Sequence, residues 1–216
     1  MTDTKTAQRA AAATLIRNEP VQARSTARLA ALLDAAAEVV DEIGYERLTT
    51  AMVADRAGAS IGTVYRYFPD RIAVLHALAA RHAERTTSRV LEELRSEAHA
   101  DWAAGLSSAF EIFVEAFRHE PGFASLRLGD TLDLRPREER PAYSVLADQL
   151  FDGLVERYGV DGGDEARAAF ESALVMSDAI AAHAFLADPK GSEVALRHGQ
   201  AATLALLSPY WGNPLA

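Results

Sequence analysis

The sequence predicts an all-α protein of about nine helices, and three observations carry this prediction. Apolar residues recur three and four positions apart along most of the chain, which is the period of a helix with one buried face. No segment shows the two-residue alternation of a half-buried strand. Glycines, prolines, aspartates and serines, which begin and end helices, lie between the periodic segments. The chain should therefore fold as helices packed against one another.

The composition is that of an ordinary soluble protein. Charged residues make up 25% of the 216 residues and hydrophobic residues 49%, and this length fits one or two domains. The absence of cysteine excludes disulfides and thiolate metal sites. The N-terminus lacks the apolar core of a signal peptide. The most apolar stretch, 173–187, is interrupted by Asp178 and His183 and is shorter than a membrane span. A cytoplasmic protein is expected.

The first 23 residues show no helical periodicity beyond a possible short helix over 7–17, and they contain Pro20. We expect a flexible arm there. A long helix follows and ends at Gly44, because apolar residues at three- and four-residue spacing build one face before that glycine. This face consists of Leu29, Leu32, Leu33, Ala36, Val40 and Ile43.

Residues 49–71 have the outline of two short helices joined by a tight turn. Thr49 is a good N-cap for a helix over 50–57, because its hydroxyl can accept a hydrogen bond from an otherwise unpaired backbone N–H. Gly58 follows where a left-handed residue is needed, and glycine adopts that conformation without a Cβ clash. This is the form of a helix-turn-helix that reads DNA.

Ser60 is the N-cap of the second short helix, predicted over 61–67; Pro69 cannot continue it, and Asp70 can cap a third. At about 100° per residue, this helix has one side with Ile61, Val64, Tyr65 and Phe68 and another with Gly62, Thr63, Arg66 and Tyr67. The donors, ring and cation of the second side suit a major groove. On this pattern alone, a helical hairpin with a solvated face fits about equally well.

From Arg28 to about Ala77 the chain resembles the DNA-binding domain of the TetR (tetracycline-repressor-type) family of transcriptional regulators. Two residues depart from the family pattern. Ala59 stands where a larger apolar residue is usual, and Arg71 stands where lysine is usual. The matching residues are Leu32 to Ala36, Gly44, Leu48 to Thr50, Val53, Ala54, Ala57, Gly58, Ser60, Gly62 to Tyr65, Tyr67, Phe68, Asp70, Arg71 and Leu75.

The resemblance implies which residues touch DNA. Thr63, Arg66 and Tyr67 are the expected base readers. Tyr65 is expected to pack its ring inward and offer its hydroxyl to a phosphate, and Arg71 to grip phosphate at the start of the next helix. The full set of expected contacts is Thr49, Thr50, Ser60, Gly62, Thr63, Tyr65, Arg66, Tyr67 and Arg71.

The net charge of −9 does not oppose DNA binding, because it is unevenly distributed. Residues 1–75 hold nine basic and nine acidic side chains, whereas the remainder holds 13 and 22. A locally basic face can therefore meet phosphates while the acidic remainder stays away from DNA. Basic residues of the arm could also reach a minor groove, although a disordered tail is the simpler interpretation of its first dozen residues. These residues are Lys5, Arg9, Arg17 and Arg24.

The expected domains are an arm over 1–23, the DNA-binding domain over 24–70 and a helical effector-binding and dimerisation domain over 71–216. In the last of these, periodicity and breakers predict six helices. They cover about 71–98, 102–119, 123–128, 142–158, 165–186 and 192–207.

The last two predicted helices, 165–186 and 192–207, carry many small residues at three- and four-residue spacing, which allows close helix approach. These residues could pack inside a monomer. The resemblance favours a homodimer through these two helices, which would place two reading helices about one DNA turn apart on a palindromic operator. The small residues are Ala166, Ala169, Ala173, Ser177, Ala181 and Ala184 in the first helix and Ala195, Ala201, Ala202 and Ala205 in the second.

Aromatic residues concentrate in the C-terminal part, where a few polar groups accompany them. Such a set can enclose an apolar pocket, although any helical core uses the same residues. The resemblance implies a small-molecule effector, expected to be apolar, and a protein released from DNA when it binds. The candidate pocket residues are Trp102, Phe110, Phe113, Phe117, Phe123, Tyr143, Phe151, Ser177 and His183.

An enzyme is the competing class, and the sequence offers it no motif. The six histidines form no zinc-protease pattern, and there is no nucleophile elbow, phosphate loop or dinucleotide fingerprint. No catalytic residue, metal or cofactor is therefore predicted. A further alternative is a DNA-binding scaffold or regulator controlled by a protein partner, with no small-molecule effector.

Overall fold

The computed structural model describes residues 23–126 and 142–213, with side chains from 24 and 146 onward in the two segments. These segments contain nine α-helices, a short 3-10 turn and no strand, so the all-α prediction is confirmed for them. The arm and the proline-bearing loop before residue 142 lie outside the described residues. The helices are α1 (Ala23–Ile43), α2 (Thr50–Arg56), α3 (Ile61–Tyr67), α4 (Arg71–Arg95), α5 (Trp102–His119), α6 (Phe123–Leu126), α7 (Ala142–Tyr158), α8 (Asp164–Ala187) and α9 (Glu193–Trp211).

The described residues form two compact units. The first comprises 23–84 and 121–126, and the second comprises 85–120 and 142–213. α4 begins in the first unit and ends in the second. The first unit therefore extends beyond residue 70, because the first half of α4 belongs to its core; the predicted functional boundaries stay a prediction.

The core of the first unit is built on the predicted apolar face of α1. Leu32, Ala36 and Val40 are fully buried, and the first half of α4 contributes Leu75 and Leu78 to the same core. An ion pair on the rim joins these two helices, because Arg81 donates to Asp34 at 2.6 Å. The short α6 adds Leu126 to this core. A stable platform thus supports the two short helices α2 and α3.

The second unit has an aromatic core that α9 completes. Trp211, at the end of α9, packs edge-on against Trp102 with ring centroids 5.3 Å apart. It also packs against Phe151 and Phe170, and its indole N–H donates to the Asp161 carbonyl at 3.0 Å. The predicted end of this helix at residue 207 is wrong, since the helix continues through Pro209 to Trp211.

α8 is 24 residues long and, by length and composition alone, is apolar enough to cross a membrane. The apolar run 173–187, predicted to be too short for a span, is the C-terminal part of this longer helix, which begins nine residues before it. One such helix is weak evidence for a membrane span. Its small residues are buried against the protein, and α8 packs along α7 and α9.

Candidate DNA-binding surface

Side-chain caps fix the two short helices as the sequence predicts. The Thr49 hydroxyl accepts from the Met52 backbone N–H at 3.2 Å, and the Ser60 hydroxyl accepts from the Thr63 N–H at 3.1 Å. Gly58, in the turn, has a left-handed backbone with φ of 57°. α3 therefore starts at Ile61, and the helix-turn-helix is confirmed as a local structure.

The faces of α3 differ from the helical-wheel prediction at three positions. Val64 and Phe68 are fully buried as expected, but Ile61 and Tyr65 are exposed at 43% and 44%. Tyr67 is buried at 5%, and its hydroxyl lies 3.0 Å from the Ser25 hydroxyl of α1. The predicted roles of Tyr67 as a base reader and of an inward Tyr65 ring are corrected, because the core lies on the side of residue 67.

The remaining predicted contacts divide between exposed and half-buried side chains. Arg66, Gly62 and Ser60 are exposed, while Thr63 is half-buried and its hydroxyl lies 2.9 Å from that of Ser60. Thr50, also half-buried, donates to the Tyr65 hydroxyl at 3.3 Å. The structure therefore joins α2 and α3 through a hydroxyl pair that the sequence did not predict.

Arg71 is exposed at the start of α4, and its guanidinium donates to the Glu46 carbonyl at 2.9 Å. Asp70 caps the same helix by accepting from the Ala73 N–H at 2.8 Å. The capping bond holds the first turn of α4, and the bond from Arg71 ties that turn to the 3-10 turn (Tyr45–Arg47) before α2. The planar guanidinium keeps further N–H donors for an anion.

Arg56 forms ion pairs with two acidic side chains of the first unit. Arg56, at the end of α2, donates to Glu42 at 2.7 Å and to Glu38 at 3.1 Å, both on α1. The hydrogen bond from Arg56 lowers the pKa of the Glu42 carboxyl, and the same bonds raise the pKa of Arg56. This guanidinium therefore fixes α2 on α1 and pairs with two carboxylates, which together keep one uncompensated negative charge.

The start of α1 lies beside the end of α3, because Ser25 and Tyr67 are hydrogen-bonded. Arg24 and Arg28 are exposed on this first turn and a half of α1. They add positive charge close to the end of α3. Arg24 was predicted only as part of a flexible arm. The hydrogen bond between Tyr67 and Ser25, which places the start of α1 beside α3, does not show in the sequence.

The predicted pocket residues do not form one group. Phe123 belongs to the first unit, where its ring lies 5.5 Å from that of the buried His82. His183 is exposed, so it does not line an interior pocket. The Tyr143 side chain lies outside the described residues.

The other predicted pocket residues lie in the second unit in two aromatic groups. Phe117 stacks on Phe185 at 4.9 Å and meets Phe113 edge-on at 5.2 Å. Trp102 and Phe151 belong to the group around Trp211. Phe110 is buried in α5, and the buried Ser177 hydroxyl lies 2.8 Å from that of Thr203. The pocket stays a prediction.

A polar cluster in the second unit was not predicted. The Glu93 carboxylate accepts from the Ser108 hydroxyl at 2.6 Å and lies 2.6 Å from the His99 ring nitrogen. The bond from Ser108, followed by that from His99, lowers the pKa of Glu93. Burial raises the pKa of the nearby Tyr158 hydroxyl.

The outer faces of α8 and α9 expose large apolar side chains. Val175 is 48% exposed, Leu186 87%, Val194 53% and Leu206 37%. The small residues predicted to pair two subunits through α8 point the other way, since all six are buried within the protomer. They serve the packing of α8 inside the chain. In α9, by contrast, Ala201 and Ala205 are exposed.

Comparison with known proteins matches both parts of the chain. Residues 32–78 match the family described as bacterial regulatory proteins, tetR family, and residues 100–209 match a tetracyclin repressor-like C-terminal domain. A crystal structure of a TetR-family transcriptional regulator from Streptomyces coelicolor is 30% identical, with a TM-score of 0.72, covering 85% of this chain and 99% of that one.

Curated relatives match over shorter lengths. A nucleoid occlusion factor, SlmA, from Pasteurella multocida is 28% identical over 113 residues, which is 52% of this chain and 54% of SlmA. The transcriptional repressor KstR from Rhodococcus jostii is 38% identical over 79 residues, or 37% of each chain. This chain thus matches about half or less of the length of these two curated relatives.

Proposed function

Because the chain belongs to the TetR family of bacterial regulatory proteins, we propose that it is a DNA-binding transcriptional regulator that represses by occupying a palindromic operator as a homodimer. A small-molecule effector bound in the second unit releases it. The proposal includes no catalytic activity, cofactor or metal, and it places the protein in the cytoplasm.

The observation that carries the DNA-binding role is the exposed surface of the capped helix-turn-helix. α3 presents Arg66 and Thr63 next to Gly62, and Arg71 stands at the start of the following helix. This arrangement supplies donors for base edges and a cation for phosphate on one compact support. Arg24 and Arg28 extend the positive charge along α1.

The exposed apolar faces of α8 and α9 support the homodimer. Large apolar side chains are exposed in the described residues only on the helix-turn-helix and on these two helices. On α8, Val175, Ala179 and Leu186 recur at helical spacing on the exposed side. A second copy would cover this face, because a twofold interface brings the same surface of each subunit together.

Release by an effector requires that the effector bind better to a state with low DNA affinity. α4 is the element that can couple the two activities, since its first half belongs to the core of the first unit and its second half to the second. The Phe113–Phe117–Phe185 group supports an apolar or aromatic effector.

A second candidate is a DNA-binding protein controlled by a protein partner. The similarity to SlmA, which is named a nucleoid occlusion factor, extends over more of this chain than the similarity to KstR. Under this hypothesis no small molecule alters operator affinity.

Selection of binding sites from random duplex DNA with the purified protein tests the proposal. We expect an inverted repeat whose half-sites lie about 34–36 Å apart. A panel of apolar compounds, assayed by DNA mobility shift on that operator, should contain one that weakens binding. If an operator is enriched but no compound weakens binding, the protein-partner hypothesis is favoured. If the selection enriches no sequence at all, the proposal of a DNA-binding regulator is contradicted.

A further inference from the structure

We propose that Ile61 is a specificity-determining residue that reads the C5-methyl group of a thymine in the major groove. This inference rests on the proposed DNA-binding function and goes beyond the motif contacts described above. The helical wheel assigned Ile61 to the packing side, but the structure leaves 43% of it exposed.

In the described part of the first unit, large apolar side chains are exposed only on the two short helices α2 and α3. Among the described residues of this unit, the large apolar side chains that are exposed are Met52, Ile61 and Tyr65, all in α2 and α3. The Tyr65 hydroxyl has a protein partner in Thr50. The protein leaves nearly half of this β-branched side chain uncovered in the first turn of α3, and this uncovered apolar surface is available for a contact outside the chain.

The neighbouring glycine points the same way. Gly62 lies inside α3 and has an ordinary helical backbone, where glycine is less stable than alanine by about 1 kcal/mol. A Cβ on Gly62 would meet only the Ser60 hydroxyl, at 3.8 Å. The fold therefore does not require this glycine, and its lack of a side chain leaves the surface next to Ile61 open to close approach.

The chemistry of the side chain selects the base group. Ile61 has neither donor nor acceptor, so it cannot read the polar edges of a base pair. The apolar group on a base edge in the major groove is the C5-methyl of thymine. Thr63 and Arg66, two and five positions further along α3, carry the polar groups for neighbouring base pairs. Ile61 would thus add an alkyl contact at the start of α3 to the polar contacts of Thr63 and Arg66.

The test uses the full-length protein and the operator obtained by site selection. Each thymine of the half-site is replaced in turn, in both half-sites, by deoxyuridine, which removes the methyl group and leaves the hydrogen-bonding edge intact. For the wild type, one such replacement should weaken binding roughly fourfold per half-site, which is the effect of one buried methylene-sized group. For Ile61→Ala, the same replacement should have no effect.

Met52→Ala is the matched control, because Met52 is exposed to the same degree at 42% and lies on the preceding helix. This variant should keep the thymine discrimination of the wild type, and thermal unfolding should show that both variants fold. Discrimination that survives in Ile61→Ala, or that disappears only in Met52→Ala, overturns the assignment while the regulator proposal stands. A protein that selects no sequence overturns both.

Discussion

Tyr65 and Tyr67 stand two positions apart in α3 and have opposite environments. Tyr67 is buried, and its hydroxyl joins Ser25 of α1, whereas Tyr65 is exposed and accepts from Thr50 of α2. One tyrosine therefore fixes α3 on its support and the other faces the solvent side of the motif. The two substitutions Tyr67→Phe and Tyr65→Phe remove one hydroxyl each, so they form a matched pair.

Tyr67→Phe should lower the free energy of unfolding by about 0.5–1.5 kcal/mol, because it removes one part-buried hydrogen bond. It should leave the selected DNA sequence unchanged. Tyr65→Phe should have little effect on stability, because the hydrogen bond that it removes is exposed, and should weaken operator binding, since this hydroxyl lies on the exposed side of the motif. Urea unfolding and mobility-shift titrations measure both effects. A changed sequence preference in Tyr67→Phe would restore that residue as a base reader.

The contribution of Glu93 to the stability of the fold depends on pH. Because its pKa in the folded protein is lowered, mainly by the Ser108 hydroxyl and then by His99, the folded state favours the carboxylate. This contribution is fully present above the ordinary glutamate pKa of about 4.3 and is lost as the pH falls through the lower folded value. Tyr158 lies near enough to interact with Glu93 but is neutral throughout this range.

Ser108→Ala should therefore destabilise the protein more at pH 7 than at pH 3. The substitution removes the largest cause of the lowered pKa, so the variant starts to lose this stability at a higher pH. Urea unfolding at the two pH values measures the difference. Ser107→Ala, at the adjacent half-buried position, is the control and should show no pH-dependent difference from the wild type. Equal destabilisation at both pH values would contradict the role of Ser108.

Helix starts that depend on neighbouring residues could be predicted from the sequence. The burial of a side chain that depends on a residue far away in the chain could not. Thr49 and Ser60 each cap the helix that begins at the next residue by accepting from the backbone N–H three positions ahead, so the starts of α2 and α3 followed from local chemistry. The burial of Tyr67 depends on Ser25, 42 positions away. A seven-residue helix offers too few positions for a wheel to reveal such a partner.

The end of α9 shows a local compensation that the sequence analysis missed. Pro209 has no N–H, so the Ala205 carbonyl four residues earlier loses its helical donor. The Ser208 hydroxyl donates to that carbonyl at 3.1 Å. The helix therefore continues to Trp211, whose burial among Trp102, Phe151 and Phe170 stabilises this extra turn.

α8 and α9 approach closely at Gly199. A Cβ at this position would lie 2.9 Å from the Cγ2 atom of Ile180 on α8. Nearby, the Thr203 hydroxyl donates to the Gly199 carbonyl at 2.9 Å and lies 2.8 Å from the Ser177 hydroxyl. The close contact and the buried hydroxyl pair together fix the register of the last two helices.

Gly199→Ala should destabilise the protein by about 1–3 kcal/mol through overpacking, despite the better helix propensity of alanine. In an Ile180→Ala background the same substitution should become neutral or stabilising, since the clashing methyl group is gone. Gly62→Ala is the control, because a Cβ there has open space and should stabilise by up to about 1 kcal/mol. Thermal unfolding of the wild type, the two single variants, the double variant and the Gly62→Ala control measures these effects. An equal cost of Gly199→Ala in both backgrounds would contradict the contact with Ile180.

At the scale of the molecule, the two exposed apolar regions match the two surfaces that a dimeric regulator needs. One lies on α2 and α3, and the other lies on α8 and α9. The homodimer through these two helices stays a prediction, but its reason is corrected in α8, whose small residues pack inside the protomer. The sequence pattern showed that the small residues lie along one side of α8. It did not show whether the rest of the chain or a second subunit would cover that side.

Val175→Glu, in the middle of the exposed face of α8, should convert the proposed homodimer to a monomer at micromolar concentration. A charge buried in an apolar interface without a partner is strongly unfavourable. The monomer should bind one half-site and lose most of its affinity for the full inverted repeat, because each subunit supplies one reading helix. Analytical ultracentrifugation and mobility-shift titrations measure the two losses on the same samples. Ala104→Glu introduces the same charge at an exposed position of a different helix, α5, and should leave both properties unchanged. A dimeric Val175→Glu protein with intact operator affinity would place the subunit interface on another surface.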